Sequence, residues 1–139
     1  MPELPLTGGC LCGAVRFEID QPLVSASWCH CTRCQRRTGT PASVQGRVAP
    51  GSFRIVQGED ALGAFEPDDG GFAKVFCREC GSALWSVSPT DPELKAVRFG
   101  AFDADPGIRP QWRQFVAYAA PWAPIPDDGL PRYPERKPA

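Results

Sequence analysis

Apolar and polar positions alternate with a period of two over short stretches at residues 14–19, 52–56, 74–76, 83–87, 95–99 and 114–118. That period sends successive side chains to opposite faces, so each stretch predicts a short strand. Glycine (14) and proline (16) break the chain at short intervals. A helix has room only at residues 32–37, one or two turns stopped by Gly39. Gly58 and Gly63 bracket a turn-rich hairpin, and the Pro-Asp-Asp-Gly-Gly run at 67–71 reads as a loop. The pattern predicts a mainly β domain with at most one or two short helical turns.

The chain has 139 residues, enough for one domain with a real core, and no low-complexity linker divides it. From Pro121 it is proline-rich; this segment is expected to wrap the surface, with Trp122, Leu130 and Tyr133 pinning it to the core. Net charge is −1 (15 basic, 16 acidic), and no basic run appears. A phosphate-binding surface needs a cationic surplus, so no nucleic-acid partner is expected. Residues 1–9 carry no basic, apolar leader, and no stretch approaches the roughly 18 apolar residues of a membrane span. The expectation is a cytoplasmic protein without membrane contact.

Seven cysteines change the picture. In a reducing compartment a disulfide framework is disfavoured, and the odd count leaves one thiol over. They fall in three groups: Cys10 and Cys12; Cys29, Cys31 and Cys34; Cys77 and Cys80. Cysteines one or two residues apart converge on an ion more easily than they form unstrained disulfides. The first and last groups both end in Cys-Gly (Cys12-Gly13 and Cys80-Gly81), and a glycine there lets the backbone turn with positive φ so that amides face the sulfur. Cys10, Cys12, Cys77 and Cys80 are therefore read as a closed structural zinc site. Cys29, Cys31 and Cys34 would then hold a second zinc with one position open, the arrangement associated with catalysis. Regrouping the middle cysteines with Cys77 and Cys80 would lose the Cys-Gly symmetry. The spacing also lacks ferredoxin runs and the deaminase zinc signature. His30, the only histidine, lies between two of these ligands. Its readings are direct ligation, a place beside the metal or toward substrate, and plain packing; the second is preferred.

Three blocks, Gly9-Cys10-Leu11-Cys12-Gly13-Ala14-Val15-Arg16-Phe17, Cys29-His30-Cys31-Thr32-Arg33-Cys34-Gln35-Arg36-Arg37-Thr38-Gly39 and Phe76-Cys77-Arg78-Glu79-Cys80-Gly81-Ser82, resemble the glutathione-dependent formaldehyde-activating enzyme family, which includes centromere protein V. Phe99-Gly100-Ala101-Phe102-Asp103 and Ala120-Pro121-Trp122 agree more weakly. The resemblance spans about residues 6–133 as one domain, leaving 134–139 as a tail. It implies an Mss4-like fold of small antiparallel sheets around zinc, and the same division of the cysteines between two ions. It also implies a carbon–sulfur lyase activity, addition of glutathione to formaldehyde giving S-hydroxymethylglutathione. Near Pro110, where members often carry a histidine, this chain reads Gln111-Trp112-Arg113.

Zn²⁺ with three thiolates has a formal charge of −1, a weaker Lewis acid than histidine-bound zinc but well suited to a fourth thiolate. The open site thus favours holding a substrate thiol, deprotonated, against a carbonyl carbon. Arg33, Arg36 and Arg37 stand beside it in sequence and either contact carboxylates of a glutathione-like substrate or form a solvated helix face. Trp28 is read as core before pocket wall, and Lys74 and Arg78 as surface charges. The alternatives to an enzyme are a non-catalytic zinc module and a thiol-reactive sensor or metal carrier.

Overall fold

The computed structural model describes residues 2–139. Alternation in β2 (Arg16–Ile19) buries Phe17 and Ile19 completely, and β1 (Leu6–Gly9) and β5 (Phe53–Gln57) flank it to form a three-stranded antiparallel sheet ordered β1-β2-β5. A second sheet of seven strands contains β3 (Ser25–Cys29), β4 (Ser43–Arg47), β6 (Leu62–Phe65), β7 (Ala73–Cys77), β8 (Ala83–Val87), β9 (Lys95–Arg98) and β10 (Arg113–Gln114). Its order is β10-β3-β4-β9-β8-β7-β6, antiparallel except where β10 runs parallel to β3. The single α-helix, α1 (Thr32–Thr38), follows β3 and ends at Gly39, whose φ of 67° supplies the left-handed cap.

The core lies where the inner faces of the two sheets meet. Phe17 stacks on Phe53 at 5.5 Å between ring centroids and meets Trp85 and Phe102 edge-on, while Leu84, Val97 and Val15 are fully buried. Such aromatic contacts add to the area that the rings bury. Asp103, just after this cluster, accepts a 2.6 Å hydrogen bond from the Thr7 hydroxyl and pairs with Arg16, tying the loop to β1 and β2.

The mainly β architecture with one short helix agrees with the sequence pattern, and three local expectations change. β3 and β4 were not marked by alternation. They carry serine and glycine where β-branched residues would signal a strand, and a Cβ at Gly46 would come within 2.5 Å of the Leu23 side chain, so a larger residue there would force Leu23 to shift. The strand expected at 114–118 stops after Gln114. Phe115 takes a left-handed φ of 58°, and a 3₁₀ turn (Val116–Tyr118) follows. The amides of Phe115, Val116 and Ala117 are satisfied by the carbonyls of Glu135, Tyr133 and Pro134 instead of by a neighbouring strand.

The third change concerns the proline-rich segment. Trp122 is 68% exposed and pins nothing. Main-chain hydrogen bonds fasten the segment instead: Arg113 N–H to Pro131, Tyr133 N–H to Arg113, and the three amides above. No helix among the described residues is long and apolar enough to cross a membrane.

Replacing Phe17 by Ala should remove about 3–5 kcal/mol of stability, the usual range for a buried aromatic. Chemical denaturation with the metal content held fixed checks this, and a loss below about 1 kcal/mol would show that the sheets are not joined through this cluster.

Candidate metal centre and its cavity

The turn joining β1 to β2 and the turn joining β7 to β8 carry the first and last cysteine groups, and the fold brings them together. The sulfurs of Cys10, Cys12, Cys77 and Cys80 all lie within 4.8 Å of one another. Cys10 and Cys12 are 3.6 Å apart and Cys12 and Cys77 are 3.9 Å apart. A tetrahedral ion with thiolates at about 2.3 Å spaces its sulfurs by about 3.8 Å, so the four cysteines fit such an ion. Gly13 and Gly81 both have φ of 81°, which lets each turn fold back on its sulfurs. The Val15 amide donates to Cys10 Sγ at 3.2 Å, and the Leu11 amide crosses to the Ser82 hydroxyl at 3.0 Å, linking the two turns directly. The side chain and amide of Ser82 lower the Cys80 thiol to about 6.

The middle group forms a separate cluster where β3 ends and α1 begins. Cys29 is buried at the strand terminus, Cys31 caps the helix by accepting from the Cys34 amide at 3.2 Å, and Cys34 sits in the first turn. Their three sulfurs also lie within 4.8 Å of one another, and no fourth His, Cys, Asp or Glu ligand joins them among the described residues. Contacts from Cys29 and Cys31 pull the Cys34 thiol far below its ordinary value, with Ser43 and the Arg98 guanidinium adding to the effect. The contacts with Cys31 and Cys34, then burial, push the Cys29 thiol up. This is a set of sulfurs poised to share one cation.

The cluster opens into a cavity of about 430 Å³. Phe72 and Phe115 are among its walls, and Arg33, Lys74, Arg98 and Arg136 also line it, with no carboxylate among its lining residues. Arg98 is 8% exposed; it donates to the Ser86 hydroxyl at 2.8 Å and to Gln45 Oε1 at 3.4 Å. Burial pushes its guanidinium down, and the thiols of Cys34, Cys29 and Cys31 counteract this.

Arg33 faces the cavity but is paired with Asp69 of the 67–71 loop. Arg36 and Arg37 line a neighbouring cavity of about 540 Å³ that shares Arg33 and Lys74 with the first. Arg37 makes one hydrogen bond, from an Nη to the Val75 carbonyl at 3.0 Å; its buried Nε has no partner, and burial, then Arg98, draw its guanidinium down to about 10. Lys74, read as a surface charge, is a half-buried cavity residue, because β7 turns alternate side chains toward the open cluster.

His30 points away from the cysteines. Its ring is buried, and Nε2 accepts from Arg113 at 3.1 Å; burial, then Arg113 and Arg132, hold it below the usual histidine range and therefore neutral. Arg113 lies over the Trp28 ring at 4.8 Å and pairs with Asp128 at 2.8 Å, so Trp28 supports this ion pair and is not a cavity wall. Sequence reasoning missed Arg98 and Arg136. Arg98 lies in a strand whose alternation was visible, but nothing local showed that this strand borders the cluster.

These features define a class: a mainly β protein with two cysteine clusters able to hold metal, one closed on four sulfurs and the other a three-sulfur site opening to a cationic cavity. The family model for the glutathione-dependent formaldehyde-activating enzyme matches residues 5–118, and the chain belongs to that family. A Halomonas elongata protein provisionally named as such an enzyme is 30% identical over 105 residues, covering 72% of this chain and 67% of its own. A Rhodobacter sphaeroides protein of known crystal structure matches with a TM-score of 0.60 at 23% identity, covering 91% of this chain and 98% of that one. At that identity the likeness concerns the fold.

Replacing Arg113 by Met should remove the side-chain partner of His30 and the ion-pair partner of Asp128, which keeps only the Leu130 amide, and loosen the C-terminal segment. The expected result is a loss of about 2 kcal/mol with faster amide exchange at Tyr133. Unchanged exchange there would show that the segment is held without this ion pair.

Proposed function

We propose that the chain is a zinc enzyme of the carbon–sulfur lyase type that condenses glutathione, or a closely similar thiol, with formaldehyde. The supporting observation is the three-cysteine cluster at a cavity lined by cations without carboxylates. In this reading Cys10, Cys12, Cys77 and Cys80 hold a structural zinc, and Cys29, Cys31 and Cys34 hold a second one. Bound there, zinc supplies a borderline-soft fourth position that keeps a substrate thiol deprotonated near neutral pH.

The chain's own residues supply placement and charge. The Cys31 cap and the Cys34 position on α1 fix two sulfurs on one short helix, and β3 fixes the third. The cationic lining favours an anionic thiol, and the aromatic walls limit water around the nucleophile. The sulfur lone pair then forms a C–S bond to the aldehyde carbon. The carbonyl π pair moves to oxygen, which takes up the proton that the thiol gave up. No oxidant or reductant enters. Proximity carries most of the rate effect, since the nucleophile is already activated.

Cobalt substitution tests this reading. Glutathione should shift the thiolate-to-cobalt band with one-to-one stoichiometry, whereas S-methylglutathione should leave it unmoved. A spectrum insensitive to glutathione at millimolar concentration would rule out the thiol as the fourth ligand.

A further inference from the structure

We propose that Lys74 and Arg136 form a carboxylate subsite at the cavity, with Arg98 holding its floor positive, so that the site selects thiols carrying carboxylates. This rests on the thiol-binding reading above and names the substrate class more narrowly.

Three observations carry it. First, the cavity concentrates positive charge without a matching carboxylate among its lining residues, and of its four cations only Arg33 has an acidic partner, Asp69. Second, Arg98 is more than nine-tenths buried, its engaged N–H groups meet only neutral oxygens, and its Nε has no partner. The thiols of Cys34, Cys29 and Cys31 already favour its charge, so what Arg98 adds to the cavity is one buried donor without a partner, its Nε. Third, Arg136 reaches the cavity through a built support. Phe115 N–H donates to the Glu135 carbonyl at 2.9 Å, Tyr118 Oη donates to the Glu135 carboxylate at 2.8 Å, and Lys137 N–H donates to Gln114 Oε1 at 3.1 Å. Lys137 also lies over Trp112 at 5.2 Å.

Trp112 and Arg113, in the block where relatives often carry a histidine, add side-chain contacts to the main-chain hydrogen bonds that seat this segment. Arg136 itself lies beyond the matched residues 5–118. Lys74 comes from β7 on the other side and keeps no acidic partner within ion-pair distance among the described residues. Burial, then Arg98, lower its ammonium, and the Cys34 and Cys31 thiols counteract this.

The test is calorimetry on the full-length, zinc-loaded protein with glutathione, S-methylglutathione and 2-mercaptoethanol, for wild type, Lys74→Gln and Arg136→Gln. S-Methylglutathione keeps both carboxylates and lacks the free thiol, so it reads the subsite alone. Each substitution should weaken glutathione and S-methylglutathione about five- to tenfold, the usual effect of losing one charge-assisted contact, and leave 2-mercaptoethanol unchanged. Zinc content and melting temperature should stay at wild-type values. If glutathione binds wild type and both variants equally, the subsite is wrong and the thiol reading stands. If S-methylglutathione binding depends on Lys74 and Arg136 but the free thiol adds no affinity, the subsite stands and the thiol reading falls. Equal weakening of all three ligands would mean that the substitutions perturb the metal cluster and would overturn the assignment.

Discussion

Four sulfurs brought within 4.8 Å of one another are the constraint on which this fold depends. Deprotonated, they repel, and only a shared cation makes their proximity favourable. Two of them sit on the turn of the three-stranded sheet and two on a turn of the seven-stranded sheet, so the same cation would join the sheets. It would also close the 64 residues between Cys12 and Cys77, a span whose ordering entropy a small core offsets only in part. The aromatic cluster around Phe17 then packs between sheets already held together.

The second cluster differs in where its sulfurs come from. Its sulfurs come from one strand end and one helical turn, close in sequence, so holding them together contributes little to closing the chain. What it gains is access. The sulfurs face a cavity, and the charge of three thiolates is balanced in part by Arg98 beneath them. A cluster of four sulfurs between the two sheets and a cluster of three beside a cavity follow from where each group of cysteines falls along the chain.

The strand-rich class, the helix from Thr32 and the two cysteine groupings were legible because each depends on local pattern: alternation, a glycine stop and paired Cys-Gly turns. β3 and β4 were not, because serine and glycine extend there through pairing and close packing and not through propensity. Residues 114–118 alternate like a strand yet turn at Phe115, because the C-terminal segment takes their hydrogen bonds. Arg98, Lys74 and Arg136 come from places far apart in sequence, and only the strand order brings them to one cavity. His30 illustrates the limit from the other side: its place between two cysteines suggested chemistry, while its ring serves Arg113 and the packing of the tail.

A metal count on purified protein, before and after Cys31→Ser, reads the proposed division of labour between two zinc ions. The wild type should hold two zinc ions per chain. The variant should hold one, with far-UV circular dichroism and cooperative unfolding preserved. Loss of the fold in that variant, or retention of both ions, would contradict the assignment of the structural role to Cys10, Cys12, Cys77 and Cys80.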